Sequence, residues 1–155
     1  MSELNPEHVK EMTAFISRSP FPGHLGMELV SFAAGRATVR LPVRDFHFQP
    51  YGIVHGGVLS SLIDTAAFWA VYAGIPDDAG LVSLDLKLNY LEAVEGGTLL
   101  AEGRAIRQGK GICYAEARVT DENDRLIVHG TSTLKVMPGW GLKTRAPKFV
   151  SPTPG

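Results

Sequence analysis

The chain has 155 residues, 45% of them hydrophobic and 20% charged, with a formal net charge of −1. That is enough chain for one domain with a real core, and it offers no cationic excess for gripping duplex nucleic acid. The single cysteine, Cys113, excludes an internal disulfide framework and suits a reducing compartment.

The N-terminus has no apolar signal core, and no window reaches the roughly 18 apolar residues of a membrane span. A cytoplasmic protein with one domain over 1–155 is therefore expected. Residues 6–17 read as a short amphipathic helix. Asn5 is placed to cap it, Pro6 suits its first position, and Val9, Met12, Phe15 and Ile16 form one apolar face. Ser19-Pro20-Phe21-Pro22-Gly23 stops it. Leu25 to Phe32 and Ala37 to Val43 read as two strands of a hairpin, turned at Ala33-Ala34-Gly35-Arg36. Asp45 to Val54 is a loop rich in aromatic and turn residues.

A glycine turn, His55-Gly56-Gly57, then feeds a long helix. Val58, Leu59, Leu62, Ile63, Ala66, Ala67, Trp69 and Ala70 cover nearly every side of it, and such a helix is normally enclosed. Asp64 interrupts this apolar surface, and a carboxylate is rarely buried unpaired. Gly74-Ile75-Pro76 ends the helix. Beyond it, Val82, Leu84, Leu86, Leu88 and Tyr90 alternate with polar residues, which predicts a strand with one buried face. Gly96-Gly97 turns the chain. Thr98 to Arg107, Ile112 to Thr120 and Leu126 to Val136 read as further strands, so three or four successive strands form an antiparallel meander. The tail from 138 to 155 lacks periodicity and reads as irregular or mobile. The predicted fold class is α+β: a curved antiparallel sheet wrapped around one long helix.

In this order the elements resemble the hotdog fold. His55-Gly56-Gly57, with Asp64 nine residues after the histidine and Gln49 six before it, resembles the PaaI-like (phenylacetic acid degradation type) acyl-CoA thioesterases of the 4-hydroxybenzoyl-CoA thioesterase superfamily. Val82 to Tyr90 is similar to the family's next strand, where a serine or threonine helps place water. The resemblance covers residues 20 to 137. It implies hydrolysis of an acyl- or aryl-CoA thioester to free CoA and a carboxylic acid, with no metal or organic cofactor.

The residues suit that chemistry. The Gly57 N–H lies in the first helical turn, at the positive dipole end, and can polarise a carbonyl as in an oxyanion hole. Gly56 beside it lets a substrate approach the backbone. Asp64 is the candidate nucleophile or general base; both roles stay open. Gln49 is a candidate to hydrogen-bond the substrate carbonyl or to hold the loop over it, His55 a candidate for orienting the turn or for catalysis, and Ser83 a candidate for placing water. Other family branches carry the water-orienting hydroxyl one turn after the acid, where this chain has Phe68. Phe68 and Tyr72 are candidates for lining the acyl pocket, while Trp69 reads as core. For the CoA phosphates, the turn containing Arg107, Gly109 and Lys110 offers cations and amides. The histidines are scattered without metal-ligand spacing, and no Gly-Xaa-Ser-Xaa-Gly elbow is present.

Gly57 and Asp64 stand seven residues apart, about 10 Å along one helix. One carbonyl cannot reach both, but two helices lying antiparallel across a two-fold axis solve this, and hotdog dimers are arranged so. The expected partners are an acyl-CoA substrate and a second copy of the chain in a homodimer with shared active sites, dimers pairing into a homotetramer. Nucleic acid and membrane are not expected partners. Two other readings remain: a hotdog dehydratase or hydratase acting on enoyl thioesters, and a non-catalytic acyl-CoA binding module.

Overall fold

The computed structural model describes residues 3–150; the last five residues of the predicted irregular tail lie outside the described residues. Helix α1 spans Pro6–Ile16 and is followed by α2, Pro20–Leu25, and the hairpin β1, Glu28–Ala33, with β2, Arg36–Pro42. A 3-10 turn, Asp45–His47, precedes α3, Gly56–Tyr72. Strands β3, Ala79–Tyr90, β4, Thr98–Gln108, β5, Ile112–Thr120, and β6, Leu126–Pro138, complete the chain. All pairings are antiparallel, and the order across the sheet is β1-β2-β4-β5-β6-β3.

The sheet curves around α3, as expected. Leu62, Ile63, Ala66, Ala67 and Ala70 have no exposed surface. Register explains how close the helix lies. Ala37, Gly103, Ala117 and Gly130 pair in one row straight across β2, β4, β5 and β6. This row of minimal side chains makes a trough. A Cβ on Gly103 would stand 2.1 Å from the Ala66 carbonyl oxygen, and one on Gly130 would stand 2.9 Å from Ile63 Cγ2. The outer face of the sheet is polar instead, covered by the pairs Glu28–Arg40, Glu102–Arg118 and Arg104–Glu116.

Several expectations need correction. The Pro-rich stop after α1 is itself a helix, because first-turn amides have no intrahelical partner and prolines cost nothing there. Gly26, in a left-handed conformation with φ 77°, closes it. The first strand therefore starts at Glu28 rather than Leu25. On α1 the buried residues are His8, Met12 and Ile16, an i, i+4, i+8 stripe, and Phe15 is exposed.

Of the three or four successive strands expected in the meander, three form it, β4-β5-β6, and β3 pairs with β6 at the far edge. Strand β3 does not bury one apolar face. A register shift between Ser83 and Asp85 breaks the alternation, leaving Val82 38% and Leu84 55% exposed while Leu86 and Leu88 pack partly on the core.

The tail is irregular, yet it is pinned. Lys148 is fully buried, and its Nζ donates to the carbonyls of Tyr72, Ile75 and Pro76, each at 3.2 Å. It thus closes the negative end of α3. Burial pushes the Lys148 ammonium down to about 8.

Glu11 ties the same segment to α1 by accepting the Arg145 and Ala146 amides. Those amides hold its carboxyl below the usual range. A carboxyl lowered in the folded chain stabilises it fully above the unfolded value and loses that effect as pH falls through the folded value. Thermal midpoints followed from pH 6 down to 3 should therefore drop further for the wild type than for Glu11→Gln. Parallel curves would show that the clasp does not depend on this carboxylate.

Candidate active site

The loop before α3 is held by a histidine that the spacing of residues gives no reason to select. His47 is buried; its Nδ1 accepts the Arg44 N–H at 2.9 Å, so the proton sits on Nε2, which donates to the Leu25 carbonyl at 2.8 Å. Its own carbonyl accepts the His55 N–H. Burial pushes the imidazole below its ordinary range, which keeps it neutral in this role. Leu25 is 22 residues away in sequence, so no local signal marks the contact.

Within the loop, Gln49 Oε1 accepts the Tyr51 N–H at 2.6 Å. The oxygen end of the amide holds the turn and the NH2 end remains as a donor.

His55 is the N-cap of α3, and its Nδ1 accepts the Gly57 N–H at 2.8 Å. The Val58 and Leu59 amides turn back to the His55 carbonyl. The amide expected to polarise a substrate, that of Gly57, is thus occupied by the cap. Among the described residues, the first-turn amide without a partner is that of Gly56. The capping role of His55 accounts for this difference, and only the ring geometry reveals it.

Gln49 and Gly56 line one cavity of about 340 Å³, with apolar walls from Ile53, Leu59, Leu91 and Val94 and the Tyr90 ring at one side. In the sequence Tyr90 reads only as the last apolar residue of an alternating strand. Its hydroxyl donates to the Gly56 carbonyl at 3.1 Å.

Asp64 lies further along α3, half-buried, and its Oδ1 accepts the Ser83 hydroxyl at 2.7 Å. The second carboxylate oxygen, Oδ2, accepts no hydrogen bond among the described residues. Asp64 is not among the residues lining the Gln49–Gly56 cavity. Eight residues of helix, about 12 Å, separate it from Gly56. The site residues thus fall into two half-sets at two places on one helix.

Comparison with known proteins decides the family. The thioesterase superfamily model matches residues 51–128. A 1,4-dihydroxy-2-naphthoyl-CoA hydrolase of Listeria monocytogenes is 33% identical over 112 residues, covering 72% of this chain and 91% of that protein. The chain belongs to the thioesterase superfamily.

Solved structures agree. A thioesterase from Haemophilus influenzae superposes with a TM-score of 0.80 at 26% identity, covering 89% of this chain and 96% of that one. A conserved protein from Pseudomonas aeruginosa superposes with a TM-score of 0.74 at 31% identity, over 77% and 94%. The fold is the hotdog fold, and the protein is a thioester hydrolase.

The remaining candidates of this thioesterase divide. Tyr72 is not available to line a pocket. It is buried, with its hydroxyl 3.0 Å from His8 Nε2 and the Lys148 ammonium 3.8 Å over its ring. Burial holds its phenol far above the ordinary range. Phe68 is half-buried, stacked on Tyr72 and about one turn beyond Asp64 on α3. Trp69 is core, as expected.

Arg107 and Lys110 are exposed, but their turn sits at the opposite end of α3 from Gly56, since Gln108 donates to the Val71 carbonyl. The Gly109 N–H is taken by the Ile112 carbonyl, which closes the hairpin and removes it as a phosphate donor. No helix among the described residues is long and apolar enough to cross a membrane.

Proposed function

We propose that this thioesterase hydrolyses acyl-CoA thioesters to CoA and a carboxylate, at sites that two copies of the chain share. The separation of the two half-sets along α3 carries this reading. The Gly56 N–H and the Gln49 amide aim at one cavity, so they receive the thioester oxygen as it gains charge. The carboxylate must come from elsewhere, and α3 shows from where. Gly57, Ser60, Ser61, Asp64 and Phe68 form a stripe that the chain's own sheet leaves only partly covered. A second α3 laid antiparallel on that stripe brings its Asp64 to the Gly56 end. β3 supports the same assembly: it is a long edge strand with Val82 and Leu84 exposed, a ready template for pairing with another copy. Dimers, paired further into tetramers, are the assembly expected in solution.

Asp64 either attacks the carbonyl carbon, giving a mixed anhydride that water then cleaves, or removes a proton from the attacking water. In both routes the C–S bond breaks and CoA leaves as the thiolate, then takes up a proton. Ser83 holds Oδ1 and directs Oδ2 at the reacting atom. This replaces the hydroxyl that Phe68 displaces from the following turn. The reaction so drawn uses no metal or organic cofactor. The same reading makes the protein a cytoplasmic member of the PaaI-like branch, and the buried free thiol of Cys113 is compatible with a reducing compartment.

The histidines weigh against an enoyl-thioester hydratase. Both nitrogens of His47 and the Nδ1 of His55 already serve the loop. A thiol-detecting assay over a panel of acyl- and aryl-CoA thioesters tests the reading. The wild type should free thiol from at least one of them. Release from none, with tight binding of the same compounds, would identify a binding module instead.

A further inference from the structure

We infer that Tyr90 is a positioning residue for the oxyanion donor. Its hydroxyl fixes the first peptide of α3, and its ring forms the wall against which the acyl group packs. The observations are geometric. Tyr90 ends β3, paired with Val128 of β6, so its backbone is anchored in the sheet. Tyr90 is 54% exposed, yet its hydroxyl reaches back to the Gly56 carbonyl.

In a helix that carbonyl already faces the amide four residues on, so the tyrosine occupies its second lone pair. The contact is closest with glycine. A Cβ at position 56 would lie 3.3 Å from two ring carbons and 3.4 Å from the hydroxyl oxygen. The free Gly56 N–H and the carbonyl bound by Tyr90 belong to one residue. Holding the carbonyl limits rotation of that residue and keeps its N–H aimed at the cavity shared with Gln49. Preorganised donors of this kind act on the transition state more than on the bound substrate. The hydroxyl should therefore govern turnover, and the ring, which flanks the cavity beside Leu59 and Leu91, should govern substrate fit.

The kinetic part rests on the proposed thioester hydrolysis. The test uses the full chain, with Tyr90→Phe and Tyr90→Leu beside the wild type. Tyr90→Phe keeps the wall and removes the bond. It should lower kcat about tenfold, leave KM within about twofold and leave the thermal midpoint unchanged. Tyr90→Leu should also raise KM for bulky acyl groups. In protein labelled with 15N-glycine, the Gly56 amide resonance should move in Tyr90→Phe while that of Gly103 stays.

Wild-type kcat with an unmoved Gly56 resonance in Tyr90→Phe overturns the inference. So does a loss of kcat accompanied by an equal loss of thermal stability, which would mark a merely structural tyrosine. A wild type that frees no thiol from any thioester fails the functional reading instead, and the Gly56 resonance then decides the positioning contact alone.

Discussion

Asp64→Asn should lower kcat for thioester hydrolysis by about a thousandfold or more while the chain folds as before. Asparagine has nearly the same shape and keeps an oxygen for the Ser83 hydroxyl, which now bonds Oδ1 at 2.7 Å. It has neither the negative charge to attack a carbonyl nor the basicity to take a proton from water. Unchanged thiol release would remove Asp64 from the mechanism.

The same variant tests where the site is assembled. Its counterpart is Gly56→Pro, which deletes the one free first-turn amide. Proline is tolerated at the first helical position, and His55 already has the extended backbone that must precede it. The Tyr90 ring has to yield by a few tenths of an ångström. Each variant alone should be inactive. Co-expressed in equal amounts, they should recover about a quarter of wild-type activity, because half of randomly formed dimers are hybrids and each hybrid holds one intact site. No recovery would mean that donor and carboxylate act within one chain. A monomer in solution would exclude the shared site directly.

Local patterns made much of this molecule legible. α3 announces itself by apolar residues on every side and a double glycine before them, and Asp64 stands out because nothing else in that helix is charged. The bounds of β5, Ile112–Thr120, agree with those read from the sequence. The features that stayed hidden depend on partners distant in sequence. The alternation of Val82 to Tyr90 reads as one buried face, but a single bulge turns half of it outward, and pairing with β6 sets the strand at the edge. Tyr90 reads as one more apolar strand residue because its partner, Gly56, is 34 residues earlier. Lys148 reads as part of an irregular tail, since only the folded chain presents it with three carbonyls at the end of α3. Gly57 was the natural choice of donor on helix geometry alone. The rotamer of His55, which occupies the Gly57 N–H and moves the proposed donor to Gly56, is not encoded locally in the sequence.

Gly103→Ala should destabilise the fold by about 3 kcal/mol or more, a fall in thermal midpoint of about 10 °C for a chain of this size. The added methyl has no room, because its carbon would lie 2.1 Å from the Ala66 carbonyl oxygen and 2.5 Å from the Ala66 carbonyl carbon. Both are helix backbone, so no side-chain rotation relieves the clash. β4 cannot retreat, since it is hydrogen-bonded between β2 and β5. The helix must therefore lift from the trough of Ala37, Gly103, Ala117 and Gly130, and the contacts of Leu62, Ile63, Ala66 and Ala70 loosen together. Gly111→Ala is the control: nothing lies within 4 Å of its Cβ position, and its change should stay within about 0.5 kcal/mol. Equal midpoints for the two variants would show that α3 does not rest on β4 at this depth. The same displacement should reach the chemistry, because α3 carries both Gly56 and Asp64. In the fraction of Gly103→Ala that remains folded at low temperature, kcat should fall although neither half-site has been altered.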